Sequence, residues 1–172
     1  MTPSPHLILG ASRSGKSTHA ESLVTSLSPP YVYIATARIL DPEMRDRVRL
    51  HRERRSSHWE TLEAPVALLP ALRTLQGAGK PVLLDCLTLW LTNLLLEPST
   101  TPPEQTVDEL CSFLAVADYP LFVVSNEVGA GIVPENALAR RFRDLAGLAN
   151  QRVAASCAAV TLVVAGIPLR LK

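Results

Sequence analysis

An α/β fold, a mostly parallel sheet flanked by helices in a single domain over residues 1–172, is what this sequence predicts. Three observations carry that prediction. Short apolar runs alternate with stretches of helical spacing along the whole chain, the order expected of a parallel sheet covered by helices. The run Gly10-Ala-Ser-Arg-Ser-Gly-Lys-Ser17 fits G-x-x-x-x-G-K-[ST] and stands between a strand-like and a helix-like segment, the context a phosphate loop requires. A further apolar run, Pro81-Val-Leu-Leu-Asp85, ends in a carboxylate, like the strand that helps hold Mg²⁺ in P-loop nucleotide hydrolases. Together they specify a P-loop NTPase-like (RecA-like) arrangement.

The elements follow in order. His6-Leu-Ile-Leu9 suits a buried strand, and Ala20, Leu23, Val24 and Leu27 mark one face of a helix opening at Lys16. Tyr31 to Ala35 reads as a second strand after Pro29-Pro30. Asp41-Pro42-Glu43 has the chemistry of a helix start, with a capping carboxylate, a proline in the first turn and an acid near the positive dipole end. That helix is expected to run to about Arg55. Trp59 to Glu63 fits a short edge strand, and Pro65 to Leu75 a helix closed by Gly77 and Gly79. After the strand ending at Asp85, Leu87 to Leu96 reads as helix, residues 98–103 as loop, Val107 to Val116 as helix and Leu121 to Ser125 as strand. Leu138, Phe142, Leu145, Ala149 and Val153 define a long amphipathic helix. Ala159 to Ala165 and Leu169 to Leu171 complete the sheet as a hairpin-like pair around Gly166 and Pro168.

Composition narrows the function. A net charge of +1 gives no overall drive toward nucleic acid or an anionic membrane. The longest apolar stretch, Leu83 to Leu96, is interrupted by Asp85, Thr88, Thr92 and Asn93, so no membrane span is expected. Residues 1–5 lack the features of a signal peptide. Cys86, Cys111 and Cys157 are odd in number and form no C-x-x-C pair, which fits a reducing cytoplasm better than a disulfide framework or a zinc site. Cys86 reads as a small core residue, and Trp59 and Trp90 as packing residues.

The chemistry begins at the phosphate loop, which implies binding of a nucleoside triphosphate. Its backbone N–H groups would face phosphate oxygens, Lys16 would reach the β/γ-phosphates, and the Ser17 hydroxyl would bind Mg²⁺. Asp85 is the natural second metal-side residue; the alternative is a cap on the helix that follows. Arg45, Arg47, Arg49, Arg52, Arg54 and Arg55 surround His51, with Arg47, His51 and Arg55 on one helical face. A solvated charged face would look the same. The sharper reading is a polyphosphate-binding surface whose positive field keeps His51 neutral and nucleophilic. Ser125-Asn-Glu-Val-Gly-Ala-Gly131 follows a strand as active-site loops do in α/β sheets, or else is a turn with Glu127 in solvent.

With these segments in view, the chain resembles the bifunctional adenosylcobinamide kinase / adenosylcobinamide-phosphate guanylyltransferase family. The carrying segments are GASRSGKS (10–17), YIATA (33–37), LDPEM (40–44), HRERR (51–55), HWETLE (58–63), NEVGAGIVPEN (126–136), RFRDLAGLANQR (141–152) and GIPLRLK (166–172). The resemblance runs from Leu7 to Lys172, and the 126–152 block is far more specific than the phosphate loop. It implies two reactions: phosphorylation of the aminopropanol hydroxyl of adenosylcobinamide by GTP or ATP, then transfer of GMP from GTP to adenosylcobinamide phosphate. The second passes, in the family, through a histidine–GMP adduct, which falls here on His51. Nucleotide contacts carry over to Gly10, Ala11, Ser12, Arg13, Ser14, Gly15, Lys16 and Ser17, to Ala35, Thr36 and Ala37, to Arg52, Glu53, Arg54 and Arg55, and to Glu63 and Asp85. A homotrimer is also implied. Two departures stand out: Ala11 replaces a usual glycine, and Asp85 an often-seen Glu, shortening that side chain's reach by one methylene. A kinase without a covalent histidine and a GTP-binding switch are the rival readings.

Overall fold

The computed structural model describes residues 3–38 and 56–172. The expected Asp41 helix, with His51, Arg52, Glu53, Arg54 and Arg55, lies outside the described residues. The elements in chain order are β1 (His6–Gly10), α1 (Lys16–Thr25), β2 (Tyr31–Ala35), β3 (Trp59–Glu63), α2 (Leu68–Arg73), β4 (Val82–Asp85), α3 (Leu87–Leu96), α4 (Pro103–Leu114), β5 (Leu121–Asn126), α5 (Ala137–Ser156), β6 (Ala159–Val164) and β7 (Ile167–Arg170).

Seven strands form one sheet in the order β3-β2-β4-β5-β1-β6-β7. Every pairing is parallel except β6 with β7. Strand periodicity sorts side chains onto two faces. Leu7, Leu9, Val32, Ile34, Leu84 and Val123 meet α2, α3, α4 and α5 in the larger core, whereas Ile8, Tyr33, Leu83, Phe122 and Val124 meet Ala20 and Val24 of α1. Trp90 is fully buried in the larger core and donates its indole N–H to the Val66 carbonyl at 3.0 Å, while Trp59 packs against Tyr31 with ring centroids 5.0 Å apart. Both tryptophans are packing residues.

The order of the central strands matters most for function. β5 lies between β1, which leads into the phosphate loop, and β4, which ends in Asp85. Gly10 is in register with Asn126, and Asp85 with both Ala35 and Val124. The carboxyl ends of β1, β2, β4 and β5 therefore converge, where ligands bind in open α/β sheets.

Three boundaries differ from expectation. α4 starts at Pro103 rather than Val107, because a proline in the first turn gives up no hydrogen bond there. α2 is confined to Leu68–Arg73, and the segment after it turns through Gly77, whose φ is 76°. The hairpin turn is the pair Ala165 (φ 50°) and Gly166 (φ 80°), the two-residue geometry that matches strand twist. Pro168 is not in the turn but within β7, opposite Val163 on the sheet's edge. Among the described residues no helix is long and apolar enough to cross a membrane.

Candidate active site

The phosphate loop is held by its carbonyls. Gly10 C=O accepts the Glu127 N–H at 3.1 Å, and Ala11 C=O accepts both the Ser14 N–H and the Lys16 ammonium, each at 3.2 Å. Positive φ at Arg13 (58°) and Gly15 (94°) makes the bend. Gly15 is the N-cap of α1 and no side chain caps that end, so the first-turn amides remain available to an anion. Ala11, Ser12 and Arg13 are exposed on the open side, Gly15 and Ser17 are half-buried, and Ser14 and Lys16 are buried. Gly10 has no room for a side chain: a Cβ there would lie 2.7 Å from the Val163 carbonyl oxygen and overlap Ser14 Oγ. Ala11, by contrast, is exposed and lacks positive φ, so its methyl needs no special backbone.

Lys16 and Asp85 meet in the electrostatics of one buried thiol. Burial pushes Cys86 up to about 11; the Asp85 carboxylate adds to the rise and the Lys16 ammonium opposes it. Both charges are thus felt at Cys86, the residue after the carboxyl end of β4. Cys86, not Asp85, is the N-cap of α3, and its thiol makes no capping hydrogen bond.

Thr36 is fully buried. Its hydroxyl donates to Cys86 C=O at 2.7 Å and accepts Cys86 N–H at 2.8 Å, while Asn93 Nδ2 donates to Thr36 C=O and Pro65 C=O, both at 2.8 Å. The segment after β2 is pinned in this way to the end of β4. Ala35 and Ala37 flank it half-buried, and Glu63 ends β3 exposed. Asn126 Nδ2 donates to Thr88 Oγ1 at 2.6 Å. Asn150 of α5 accepts from Ser125 Oγ at 2.7 Å and donates to Asn126 C=O at 3.1 Å. Glu127 is exposed but not loose, since its carboxylate accepts the Gly129 N–H at 2.8 Å.

Of the residues singled out in the sequence, the phosphate loop, Thr36, Asp85 and Asn126 lie at the carboxyl ends of β1, β2, β4 and β5. Sequence reasoning missed Thr88, Asn93 and Asn150. Thr88 and Asn93 registered only as polar interruptions in an apolar run, and Asn150 only as a member of the 141–152 segment. The usable signal was a polar residue on the buried face of a helix.

The donor set fits Mg²⁺. Ser17 in the first turn of α1 and Asp85 at the end of β4 offer hard oxygen atoms, and this cation takes one or two protein oxygens beside phosphate and water. Among the described residues no group of three or more His, Cys, Asp or Glu could cage a metal unaided. A phosphate-borne cation requires no such cage.

Comparison with known proteins agrees with this geometry. The family described as cobinamide kinase / cobinamide phosphate guanyltransferase matches residues 6–171. The bifunctional adenosylcobalamin biosynthesis protein CobP of Pseudomonas aeruginosa is 47% identical over 168 residues, 96% of each chain. CobU of Salmonella typhimurium is 41% identical over 179 residues, covering 96% of this chain and 98% of its own. Solved structures share the fold at low identity. A type III secretion ATPase superposes with a TM-score of 0.52 at 13% identity, over 91% of this chain and 50% of its own. A Pyrococcus horikoshii protein gives 0.56 at 10% identity, over 97% of this chain and 85% of its own. The chain is a member of the cobinamide kinase / cobinamide phosphate guanyltransferase family.

Proposed function

We propose that this protein phosphorylates the aminopropanol hydroxyl of adenosylcobinamide and then joins GMP from GTP to the resulting phosphate. The observation that carries the reading is the convergence of the phosphate loop, Lys16 and Asp85 at one end of the sheet, in a chain that matches the family from residue 6 to 171. In the first reaction the acceptor oxygen, losing its proton, attacks the γ-phosphorus of GTP or ATP, and the bond to the nucleoside diphosphate breaks. Lys16 and the loop amides stabilise charge on the transferring group, which is most of what phosphoryl transfer asks of a protein. Mg²⁺, when bound through Ser17 and Asp85, would neutralise charge between the β- and γ-phosphates.

In the second reaction the His51 imidazole attacks the α-phosphorus of GTP and pyrophosphate leaves. An oxygen of adenosylcobinamide phosphate then displaces the histidine, restoring the free imidazole. Arg52, Glu53, Arg54 and Arg55 surround the nucleotide in this reading, with Ala35, Thr36, Ala37 and Glu63 lining its approach. Asn126 and Glu127, beside Gly10, orient the acceptor.

In this reading the enzyme works in the cytoplasm as a homotrimer, with residues 1–172 as one catalytic domain. Free Cys86, Cys111 and Cys157 fit a reducing compartment, and the exposed apolar side chains Ile167, Leu169 and Leu171 fit a surface that another subunit covers. Incubation with Mg²⁺ and α-labelled GTP, followed by denaturation, tests the covalent step. Acid-labile label on wild type, absent from His51→Ala and chased by adenosylcobinamide phosphate, is expected. GTP binding without label would leave a plain kinase or a switch.

A further inference from the structure

We propose that the β6–β7 turn is a built-in brace for the phosphate loop and that Gly166 is a positioning residue for nucleotide binding; the inference rests on the nucleotide reading above. The GIPLRLK ending, singled out in the sequence, has no role in the chemistry so far described.

Three contacts make the brace. The Gly166 N–H donates to Ser14 C=O at 2.8 Å. An added Cβ on Gly15 would meet Gly166 Cα at 3.1 Å, so the two backbones touch with no side chain between them. Three residues before Gly166, in β6, the Val163 carbonyl closes over Gly10. The hairpin thus meets the loop at its first glycine, Gly10, and at Gly15, the N-cap of α1.

The contact acts through the geometry of one peptide plane. The Ser14–Gly15 bond is trans, so the Ser14 C=O and the Gly15 N–H point in opposite directions. Drawing the carbonyl toward Gly166 therefore turns the Gly15 amide away from the hairpin, into the concavity where phosphate oxygens would lie. Gly10 and Ala11 carbonyls are held by Glu127 and by Ser14 with Lys16, leaving the Ser14 carbonyl to the hairpin. That tie sets the Ser14–Gly15 peptide plane, since the next carbonyl, Gly15 C=O, already enters α1 by accepting the His19 N–H at 3.0 Å. Reaching Ser14 needs the tight turn, and the tight turn needs positive φ at Gly166 (80°).

The test compares two glycines with matched strain. Gly77 has φ 76° and, like Gly166, nothing within 4 Å of an added Cβ. Gly77 belongs to the turn after α2, away from the phosphate loop. GTP affinity with Mg²⁺ and melting temperature would be measured for wild type, Gly166→Ala, Gly166→Asn and Gly77→Ala. We expect Gly166→Ala to raise the GTP Kd about fivefold or more, since alanine resists this conformation, and Gly166→Asn, which tolerates it, to recover most of the affinity. Gly77→Ala should lower the melting temperature comparably and leave the Kd unchanged. Amide exchange in the nucleotide-free protein gives an independent readout, with Gly166 protected in wild type and unprotected in Gly166→Ala. Unchanged affinity in Gly166→Ala, or equal loss in Gly77→Ala, overturns the brace alone. A wild type that binds no GTP overturns the nucleotide reading and the role of the brace together, whereas exchange would still report whether the Gly166–Ser14 bond forms.

Discussion

Replacing Thr36 with valine tests whether the end of β2 holds the end of β4. The two side chains are nearly the same shape, so little packing is lost and the loss is one of hydrogen bonds. Thr36 Oγ1 accepts the Cys86 N–H and donates to the Cys86 carbonyl in a fully buried setting. These two groups are not equally dependent on it. The carbonyl keeps a second partner, the Trp90 N–H at 3.2 Å. The Cys86 N–H loses its bonded acceptor. Leaving one buried donor unsatisfied costs about 1–3 kcal/mol, and weakening a shared acceptor adds about 0.5 kcal/mol, so Thr36→Val should cost about 1.5–3.5 kcal/mol. Because Cys86 follows Asp85 directly, Mg²⁺-dependent nucleotide affinity should fall as well. Urea denaturation would show a lower midpoint at unchanged slope, and Thr36→Ser should regain most of the loss. A Thr36→Val midpoint within about 0.5 kcal/mol of wild type, the range of ordinary surface substitutions, would refute the reasoning.

Two other predictions follow from the same geometry. Gly10→Ala forces a methyl against a backbone carbonyl that cannot easily retreat, at 2.7 Å from Val163 O; it should destabilise by about 1–3 kcal/mol and abolish nucleotide binding, readable by denaturation and calorimetry. His6 is lowered from 6.5 to about 4 by burial first, then by His19 and Arg170, while its Nε2 pairs with Thr161 Oγ1 at 2.9 Å. Since the unfolded chain binds the proton more readily, stability is complete above pH 6.5 and lost as pH falls toward 4. With solvent screening discounted the loss should be about 1–2 kcal/mol, and His6→Gln should flatten that part of the profile.

Much of the fold was legible because its signals are local. A glycine-rich run between a strand and a helix, a strand ending at Asp85 and a helix repeating at Leu145, Ala149 and Val153 each announce themselves within a few residues. The order of the strands does not. Nothing near Leu121 says that β5 inserts between β1 and β4, because strand pairing is decided by burial of whole faces. The same limit explains the site. Lys16 and Asp85 were recognisable by type and spacing, but the bonds from Thr36 to Cys86 and from Gly166 to Ser14 join residues 50 and 152 positions apart. The turn at Ala165 and Gly166 was misplaced toward Pro168 for a related reason. Proline marks a turn only when its neighbours leave it no strand to join, and here it has an edge.

That edge has a consequence for how the sheet can grow. Val164 and Ile167 flank the two-residue turn, so Pro168 falls at the next pair, where the backbone of an antiparallel ribbon points outward. An outer donor is missing at that point, and an incoming strand could not zip along β7 without a gap. Ile167 and Leu169 stand exposed on either side of the gap. The β7 margin of the sheet is thereby closed to fibril-like extension while staying adhesive through its side chains, so what meets it must fit a shape rather than copy a ladder.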